Sequence, residues 1–169
     1  MELAEEISIM FIPDRHEDII HRYMDNVFRI AFTYCRNTAD AEDIAQEVFV
    51  RYMTKAPAFI GEEHLKAWLI RVTINLSKSH LTSFRVKKIV SISEQHDHGV
   101  EDKTNLDTYH AVMSLSEKYR TVVLLYYFED YSVKEVAKIL GKSETAIQTR
   151  LQRARSMLKD KLKEDWQND

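Results

Sequence analysis

One stretch of this 169-residue chain is purely basic, although the whole chain carries a net charge of −3. Residues 64–88 contain no Asp or Glu, two large aromatic side chains, Trp68 and Phe84, and six cations. The cations are Lys66, Arg71, Lys78, Arg85, Lys87 and Lys88. Cations along a phosphate backbone, beside rings on which bases stack, are typical of single-stranded nucleic-acid binding. The preceding segment, 56–63, could shape a pocket for an unstacked base.

Trp68 has a second interpretation, because it shares helical spacing with Leu65, Leu69 and Val72 and could belong to the core. The spacing alone favours the core. A half-buried ring can still present an edge to a base, so the two roles are compatible.

Four carboxylates lie close together at 40–47: Asp40, Glu42, Asp43 and Glu47. Metal binding or acid–base catalysis is conceivable for such a group. However, the helix dipole also favours carboxylates at a helix start, and the segment contains no His or Cys. The pattern therefore favours a solvated helix face or a protein docking surface.

The segment 132–158 has the layout of a helix-turn-helix, SVKEVAKILGKSETAIQTRLQRARSML. The second helix of such a unit enters the major groove of DNA. Gln148 could bind an adenine edge, and Arg150 and Arg153 could bind guanine or phosphate. The remaining candidates are Thr149 and Gln152 as short polar contacts, and Lys142 and Ser143 beside a backbone phosphate. A solvated helix face is the alternative.

Other reactive residue types do not form a recognisable site. His16 and His21 are five positions apart and point about 140° apart on one helix, so they predict no metal ion. Cys35 has no neighbouring base in the sequence, and packing is its default role. Three glycines cannot build a phosphate-binding loop. We therefore expect no metal, no cofactor and no enzymatic activity.

Hydrophobic spacing predicts helices throughout the chain. The helical segments are about 14–36, 40–55, 64–88, 104–114, 116–129, 132–140 and 143–163. On the third helix, the predicted inward side comprises Leu65, Trp68, Leu69, Val72 and Leu76, with Ser79 as a further candidate. Predicted helix ends are the N-caps Asp40 and Ser143, the capping boxes Ser114–Glu117 and Ser132–Glu135, and the C-cap Gly141.

The composition, with 44% apolar residues, three Gly and two Pro, also favours helices, here in two small domains. Residues 89–103 lose periodicity and are acidic, which predicts a flexible linker. The predicted divisions are an N-terminal tail at 1–13, a first domain at 14–89, a linker at 90–104, a second domain at 105–163 and a tail at 164–169. The acidic N-terminus and single Cys predict a cytoplasmic protein.

Three motifs in this order resemble a bacterial RNA polymerase sigma factor of the extracytoplasmic-function type, in the sigma-70 family. TADAEDIAQEVFVRYM at 38–53 is similar to the first half of region 2, and residues 64–88 are similar to its second half. Residues 115–158, which end in RLQRARSML, are similar to region 4. The resemblance covers about residues 20–163.

The resemblance implies a role for each motif. The acidic helix would dock on the clamp helices of the largest polymerase subunit through Asp40, Glu42, Asp43, Gln46 and Glu47. The loop residues Phe59, Ile60 and Gly61 would form a pocket for a flipped base of the minus-ten element. The melted strand would follow Lys66, Trp68, Arg71, Asn75, Lys78, Ser79 and Arg85. The minus-thirty-five element would contact Arg120, Lys142, Ser143, Gln148, Thr149, Arg150, Gln152 and Arg153.

The implied partners are core RNA polymerase, including the flap of its second-largest subunit, promoter DNA, and an anti-sigma factor, which in this family is often membrane-anchored. The alternative is a stand-alone helix-turn-helix regulator that binds operator DNA. That alternative leaves the basic stretch and the acidic helix without an obvious use.

Overall fold

A computed structural model describes residues 15–87 and 103–167, with side chains described for 15–82 and 107–163. These ranges contain seven α-helices, one π-helical turn and no strand, so the predicted all-helical fold is confirmed. The chain divides into two compact units, residues 1–91 and 92–169. Within the described ranges, no helix is long and apolar enough to span a membrane. Most of the predicted linker and the tail 1–13 lie outside the described residues.

The first unit consists of α1 (His16–Cys35), α2 (Thr38–Lys55) and α3 (Glu62–Lys87), and each of these helices packs against the other two. Its core is mainly apolar and includes Ile19, Val27, Ile30, Val48, Leu65, Leu69 and Ile70. On α2 the buried side comprises Ala41, Ile44, Val48 and Tyr52, which recur at helical spacing.

The N-cap of α2 is Asn37, and the prediction of Asp40 was wrong. The Asn37 Oδ1 accepts a hydrogen bond from the Asp40 N–H at 3.0 Å, and the helix begins at Thr38. Glu42 and Asp43 consequently lie beyond the first turn, where the helix dipole has faded. The dipole therefore explains Asp40 and leaves the other carboxylates without a local reason.

The inward side of α3 also differs from the prediction. Trp68, Val72 and Leu76 are only half-buried and Ser79 is exposed, whereas the chain buries Ile70, Ile74 and two hydroxyl residues, Thr73 and Ser77. Thr73 and Ser77 donate to the carbonyls of Leu69 and Thr73, each at 2.7 Å. Because these hydroxyls are satisfied within their own helix, they can be buried at little cost, so the buried side is rotated from the apolar stripe.

The second unit consists of α4 (Lys103–Ser114), α5 (Glu117–Val123), a π-helical turn (Leu124–Phe128), α6 (Val133–Leu140) and α7 (Glu144–Gln167). α7 packs against α4, α5 and α6. A buried cluster joins these elements: Val112, Leu115, Tyr119, Val123 and Ala154, with Leu158 beside it. On α7 the buried side comprises Ile147, Leu151 and Ala154, and Leu158 one turn further is half-buried.

Most predicted helix ends of this unit are confirmed. Ser132 and Glu135 form both hydrogen bonds of a capping box, and Ser143 Oγ accepts from the Ala146 N–H at 3.1 Å. The Ser114–Glu117 capping box was wrong, because Ser114 ends α4 and donates to the Ala111 carbonyl. Ser116 is the N-cap residue of α5.

Gly141 ends α6 in the left-handed region, with φ = 62°, as its predicted C-cap role requires. We expect Gly141→Ala to lower the free energy of unfolding by about 1–2 kcal/mol, because a Cβ is strained at this φ. Gly61→Ala is the matched control, since Gly61 lacks a positive φ and an added Cβ there meets no atom within 4 Å. Urea unfolding of both variants measures the difference; equal stabilities would contradict the prediction.

Candidate nucleic-acid interface and acidic docking face

Two basic side chains of α3, Arg71 and Lys78, lie on the same side of the helix as Trp68. Arg71, Asn75 and Lys78 are exposed and lie within about 80° of the half-buried Trp68 around the helix axis, at ~100° per residue. We call Trp68, Arg71, Asn75 and Lys78 the basic stripe. Ser79 is exposed beside it. The structure therefore brings most of the predicted strand contacts to one side of one helix.

Two predicted strand contacts do not join this stripe in the described structure. Lys66 is half-buried and lies on the opposite side of α3, about 160° from Trp68. The backbone of Arg85 belongs to α3, whereas its side chain lies outside the described residues.

The loop between α2 and α3, residues 56–61, is held by an aromatic cluster. The Phe59 side chain is only 5% exposed, and its ring centroid lies 5.7 Å from that of Trp68 in an edge-on arrangement. The next side chain, Ile60, is 84% exposed. Phe59 is therefore an anchor of the loop, and Trp68 contacts the core through Phe59 while part of its ring remains accessible.

Two short contacts connect the start of α3 to α1. Arg22 Nη1 and Tyr23 Oη both donate to Glu62 Oε1, each at 2.8 Å. Burial, with the hydrogen bond to Glu62, raises the pKa of Tyr23 to about 12, so the phenol remains protonated as a donor. These contacts fix the point at which the basic stripe begins.

An exposed acidic surface covers the outward side of α2. Glu42, Asp43, Gln46 and Glu47 are exposed, and we call them the acidic face. Glu47 forms an ion pair with Arg51 at 3.0 Å. The surface continues into two exposed apolar side chains one and two turns further along, Val50 and Met53, at 46% and 49% exposure.

A groove of ≈ 300 Å³ adjoins the acidic face between α2 and α3. Its lining residues are Asp43, Ile44, Glu47, Leu76, Ser79 and His80. Leu76 is half-buried here rather than buried in the core, which explains part of the rotation of α3 described above.

Asp40 occupies a different environment from the acidic face. Its Oδ2 lies 3.4 Å from His80 Nε2, so this carboxylate connects the start of α2 to α3. Burial, with the nearby Asp40 carboxylate, also raises the pKa of the Cys35 thiol to about 12. Cys35 is therefore a protonated, weakly nucleophilic thiol at neutral pH.

The described residues contain no group of three side chains able to hold a metal ion. The His16 ring packs against Tyr52, with centroids 5.1 Å apart, and so serves the α1–α2 contact.

The helix-turn-helix of the second unit presents most of its predicted DNA contacts. Gln148, Gln152 and Arg153 are exposed on α7, and Thr149 and Arg150 are half-buried. In the turn before α7, Lys142 and Ser143 are exposed. Hydrogen bonding to Arg153, with the charge of Lys118, lowers the pKa of Tyr119 below its ordinary value.

Arg120 requires a correction, because it is only 5% exposed. Its Nη1 donates to the carbonyls of Met113 and Leu115, at 3.1 and 2.9 Å. These carbonyls lie at the C-terminal end of α4, where helices leave acceptors unpaired. Arg120 is therefore a structural residue that connects α4 to α5, and the prediction of a DNA contact was wrong.

A further arginine, Arg155, was not predicted from the sequence as a candidate, although other side chains of the second unit hold it in place. Its Nε donates to the Tyr127 hydroxyl, and its guanidinium lies over the rings of Tyr126 and Tyr127, at 5.8 and 5.6 Å. The available signal was the pair of tyrosines at the end of the fifth predicted helix. Their contact with Arg155 spans 28 positions and cannot be found from local spacing.

Two family models match the chain, in the same order as the two units. The model for sigma-70 region 2 matches residues 19–85, and the model for sigma-70 region 4 matches residues 106–158. The first match contains the acidic face and the basic stripe, and the second contains the helix-turn-helix.

Individual proteins agree with these matches. The RNA polymerase sigma factor SigV of Bacillus subtilis is 29% identical over 149 residues, which cover 85% of this chain and 89% of that protein. The sigma factor SigW of the same organism is 27% identical, over 89% and 90% of the two chains.

Solved structures support the fold. The sigma factor RpoE from Bartonella quintana, in complex with the anti-sigma factor NepR, has a TM-score of 0.71 at 24% identity, over 87% of this chain and 96% of that chain. CnrH, in complex with the cytosolic domain of CnrY, has a TM-score of 0.64 at 20% identity, over 89% and 88%. The two matched regions together exceed two thirds of the sequence, and the chain belongs to the sigma-70 family of RNA polymerase sigma factors.

Proposed function

We propose that this chain is a promoter-specificity subunit that acts only in complex with core RNA polymerase. The observation that carries the proposal is the presence of an exposed acidic face and a separate basic stripe within region 2, followed by a helix-turn-helix within region 4. An operator-binding regulator would use the helix-turn-helix alone.

Each surface has a distinct task in this proposal. The acidic face, with Val50 and Met53 beside it, docks on the clamp helices of the largest polymerase subunit. The basic stripe and the loop 56–61 bind the separated strand of the minus-ten element. Gln148, Thr149, Arg150, Gln152 and Arg153 contact the minus-thirty-five element, with Lys142 and Ser143 near the phosphates.

Lys66 and Arg85 are secondary candidates for contact with the strand. Lys66 lies on the opposite side of α3 from the basic stripe, and the Arg85 side chain is outside the described residues. We assign no DNA contact to Arg120. Asp40 is half-buried at the start of α2, with Oδ2 3.4 Å from His80 Nε2, and is therefore a secondary candidate for docking. We further propose that the second-largest polymerase subunit contacts region 4 through its flap.

Two features bear on how this chain would be regulated, its net charge and the partners of similar proteins. A net charge of −3 provides little non-specific attraction to DNA, so the free chain binds promoters weakly and core polymerase supplies the positioning. RpoE and CnrH were solved with anti-sigma partners. We propose that an anti-sigma factor likewise sequesters this chain.

The test is run-off transcription from promoters identified by transcript mapping after overexpression. Core polymerase supplemented with this chain is expected to initiate at the mapped start sites, whereas core alone initiates unselectively. The chain without core is expected to show no tight promoter band in a gel shift. Tight, specific binding without core would favour the stand-alone regulator.

A first mutational prediction concerns the basic stripe. We expect Arg71→Ala with Lys78→Ala to slow open-complex formation and to leave affinity for core polymerase unchanged. The salt dependence of strand binding should fall by about 0.7 unit of slope for each lost phosphate contact, or about 1.4 in total, as expected for a single strand. Binding of the non-template strand by holoenzyme at several salt concentrations measures the slope.

The matched control removes two exposed cations elsewhere in the first unit, Arg15→Ala with Lys55→Ala. This pair changes the net charge by the same amount and should keep the wild-type slope. Equal slopes for both double variants would show that the stripe is not the path of the strand.

A further inference from the structure

The loop 56–61 has a tip and an anchor next to each other in the sequence. Phe59 is 5% exposed, and Ile60 is 84% exposed. The Phe59 ring lies 6.5 Å from Tyr52, 5.4 Å from His64 and 5.7 Å from Trp68, between centroids. The anchor is therefore surrounded by rings, whereas the tip has no comparable side-chain contact among the described residues to hold it.

The backbone of the tip is held by one side chain. The Ile60 N–H donates to Nδ1 of His64 at 3.2 Å. His64 is the third residue of α3, the position from which a Glu or Gln side chain reaches back in a capping box. Here the imidazole reaches one residue further, past Gly61, whose carbonyl already accepts from the Leu65 N–H.

This hydrogen bond specifies the state of His64. An imidazole nitrogen accepts only when it carries no proton, so this hydrogen bond requires an unprotonated Nδ1. The ring is also oriented by its edge-on contact with Phe59, at an interplanar angle of 82°. His64 therefore joins the anchor and the tip into one rigid turn.

His64 also lies in line with the basic stripe. At ~100° per residue, it is within about 40° of Trp68, Asn75 and Lys78 around α3. The loop tip is thus held at the N-terminal end of the same side of the helix that carries Arg71 and Lys78. A strand that follows the stripe would reach the Ile60 side chain next.

We propose that His64 is a positioning residue that holds the Ile60 tip in place for capture of the separated promoter strand, through the hydrogen bond from the Ile60 N–H to Nδ1. The inference rests on the proposed function. It adds a residue outside the predicted strand contacts, and it assigns the effect to an acceptor atom rather than to the charge or the ring of the side chain.

Two variants separate the acceptor from the ring. His64→Asn places Oδ1 at the position of Nδ1 and lacks the ring, whereas His64→Phe keeps a ring against Phe59 and lacks the acceptor. We expect His64→Asn to retain near-wild-type affinity of holoenzyme for the non-template strand of a mapped minus-ten element. His64→Phe should bind it about 3- to 10-fold more weakly, as expected for one lost hydrogen bond.

A direct readout is amide exchange of Ile60 in the free protein. The Ile60 N–H should be protected in the wild type and in His64→Asn, and should exchange faster in His64→Phe. Affinity for core polymerase and for minus-thirty-five duplex should be the same in all three proteins, which excludes a general loss of folding.

Each outcome separates the inference from the proposed function. A wild-type holoenzyme that does not prefer the non-template strand over its complement would remove the proposed function, and this inference with it. A selective wild type with His64→Phe at wild-type affinity would overturn the inference alone. Equal weakening in His64→Asn and His64→Phe would also overturn it, because His64→Asn retains the acceptor and should then have retained the affinity.

Discussion

Reversing two charges on the acidic face, Asp43→Lys with Glu47→Lys, is expected to abolish binding to core RNA polymerase. Both carboxylates are exposed, lie one turn apart on α2 and border the groove formed with α3. A basic partner surface would then meet two cations, and like charges facing each other across an interface cost several kcal/mol. The dissociation constant should rise on the order of 100-fold or more, since each 1.4 kcal/mol is a factor of ten.

The fold should survive this change. Both side chains are exposed, and the only described ion pair lost is Glu47–Arg51, an i,i+4 pair worth about 0.3–0.5 kcal/mol. Thermal unfolding of the variant should therefore be close to that of the wild type. Fluorescence anisotropy with labelled protein and unlabelled core polymerase measures the affinity.

A matched reversal on α1, Asp18→Lys with Asp25→Lys, changes the net charge equally at two other exposed carboxylates. It should leave core affinity within about twofold of the wild type. A similar loss in both variants would mean that overall charge, and not the acidic face, controls docking. Unchanged affinity in Asp43→Lys with Glu47→Lys would refute the docking assignment itself.

Much of the fold was predictable because local rules determine helix ends and stripes. The Ser132–Glu135 capping box, the Gly141 C-cap and the buried side of α7 depend on residues within a few positions of one another. Asp40 shows the limit of those rules. Asn37, three positions earlier, is also a good N-cap residue, and its side chain accepts the hydrogen bond from the Asp40 N–H. Both residue types suit an N-cap, so the sequence did not decide between them.

The rotation of α3 could not be predicted from apolarity. The hydroxyls of Thr73 and Ser77 donate hydrogen bonds to backbone carbonyls of α3. These two residues can therefore be buried, although they are polar. Leu76, which scores as apolar, instead borders the groove beside the acidic face. Only the packing of α1 and α2 against α3 decides which of these residues is covered.

Arg120 was assigned wrongly for a related reason. In sequence it is one cation in a region where cations suggest DNA contacts, and the acceptors that it uses are backbone carbonyls with no sequence signature. The same holds for Arg155, whose partners Tyr126 and Tyr127 lie in the π-helical turn. Exposure separates these two arginines, because Arg120 is buried and Arg155 is exposed.

Removing Arg150 and Arg153 together is expected to eliminate most discrimination of the minus-thirty-five element. Arg153 is exposed on α7, and Arg150 is half-buried beside it on the same helix. Each bidentate contact to a base is worth about 1–3 kcal/mol of discrimination. Arg150→Ala with Arg153→Ala should therefore reduce the preference for a matched over a scrambled element by about 30-fold or more.

The control for this prediction removes two exposed cations further along the same helix, Lys159→Ala with Lys163→Ala. These side chains are interpreted as solvated, so holoenzyme with this variant should keep the wild-type ratio of affinities for matched and scrambled elements. Weaker binding to both DNAs in equal proportion would indicate phosphate contacts instead of base contacts. If Arg150→Ala with Arg153→Ala leaves the ratio unchanged, α7 does not select the minus-thirty-five sequence, because base contacts and not overall attraction determine that ratio.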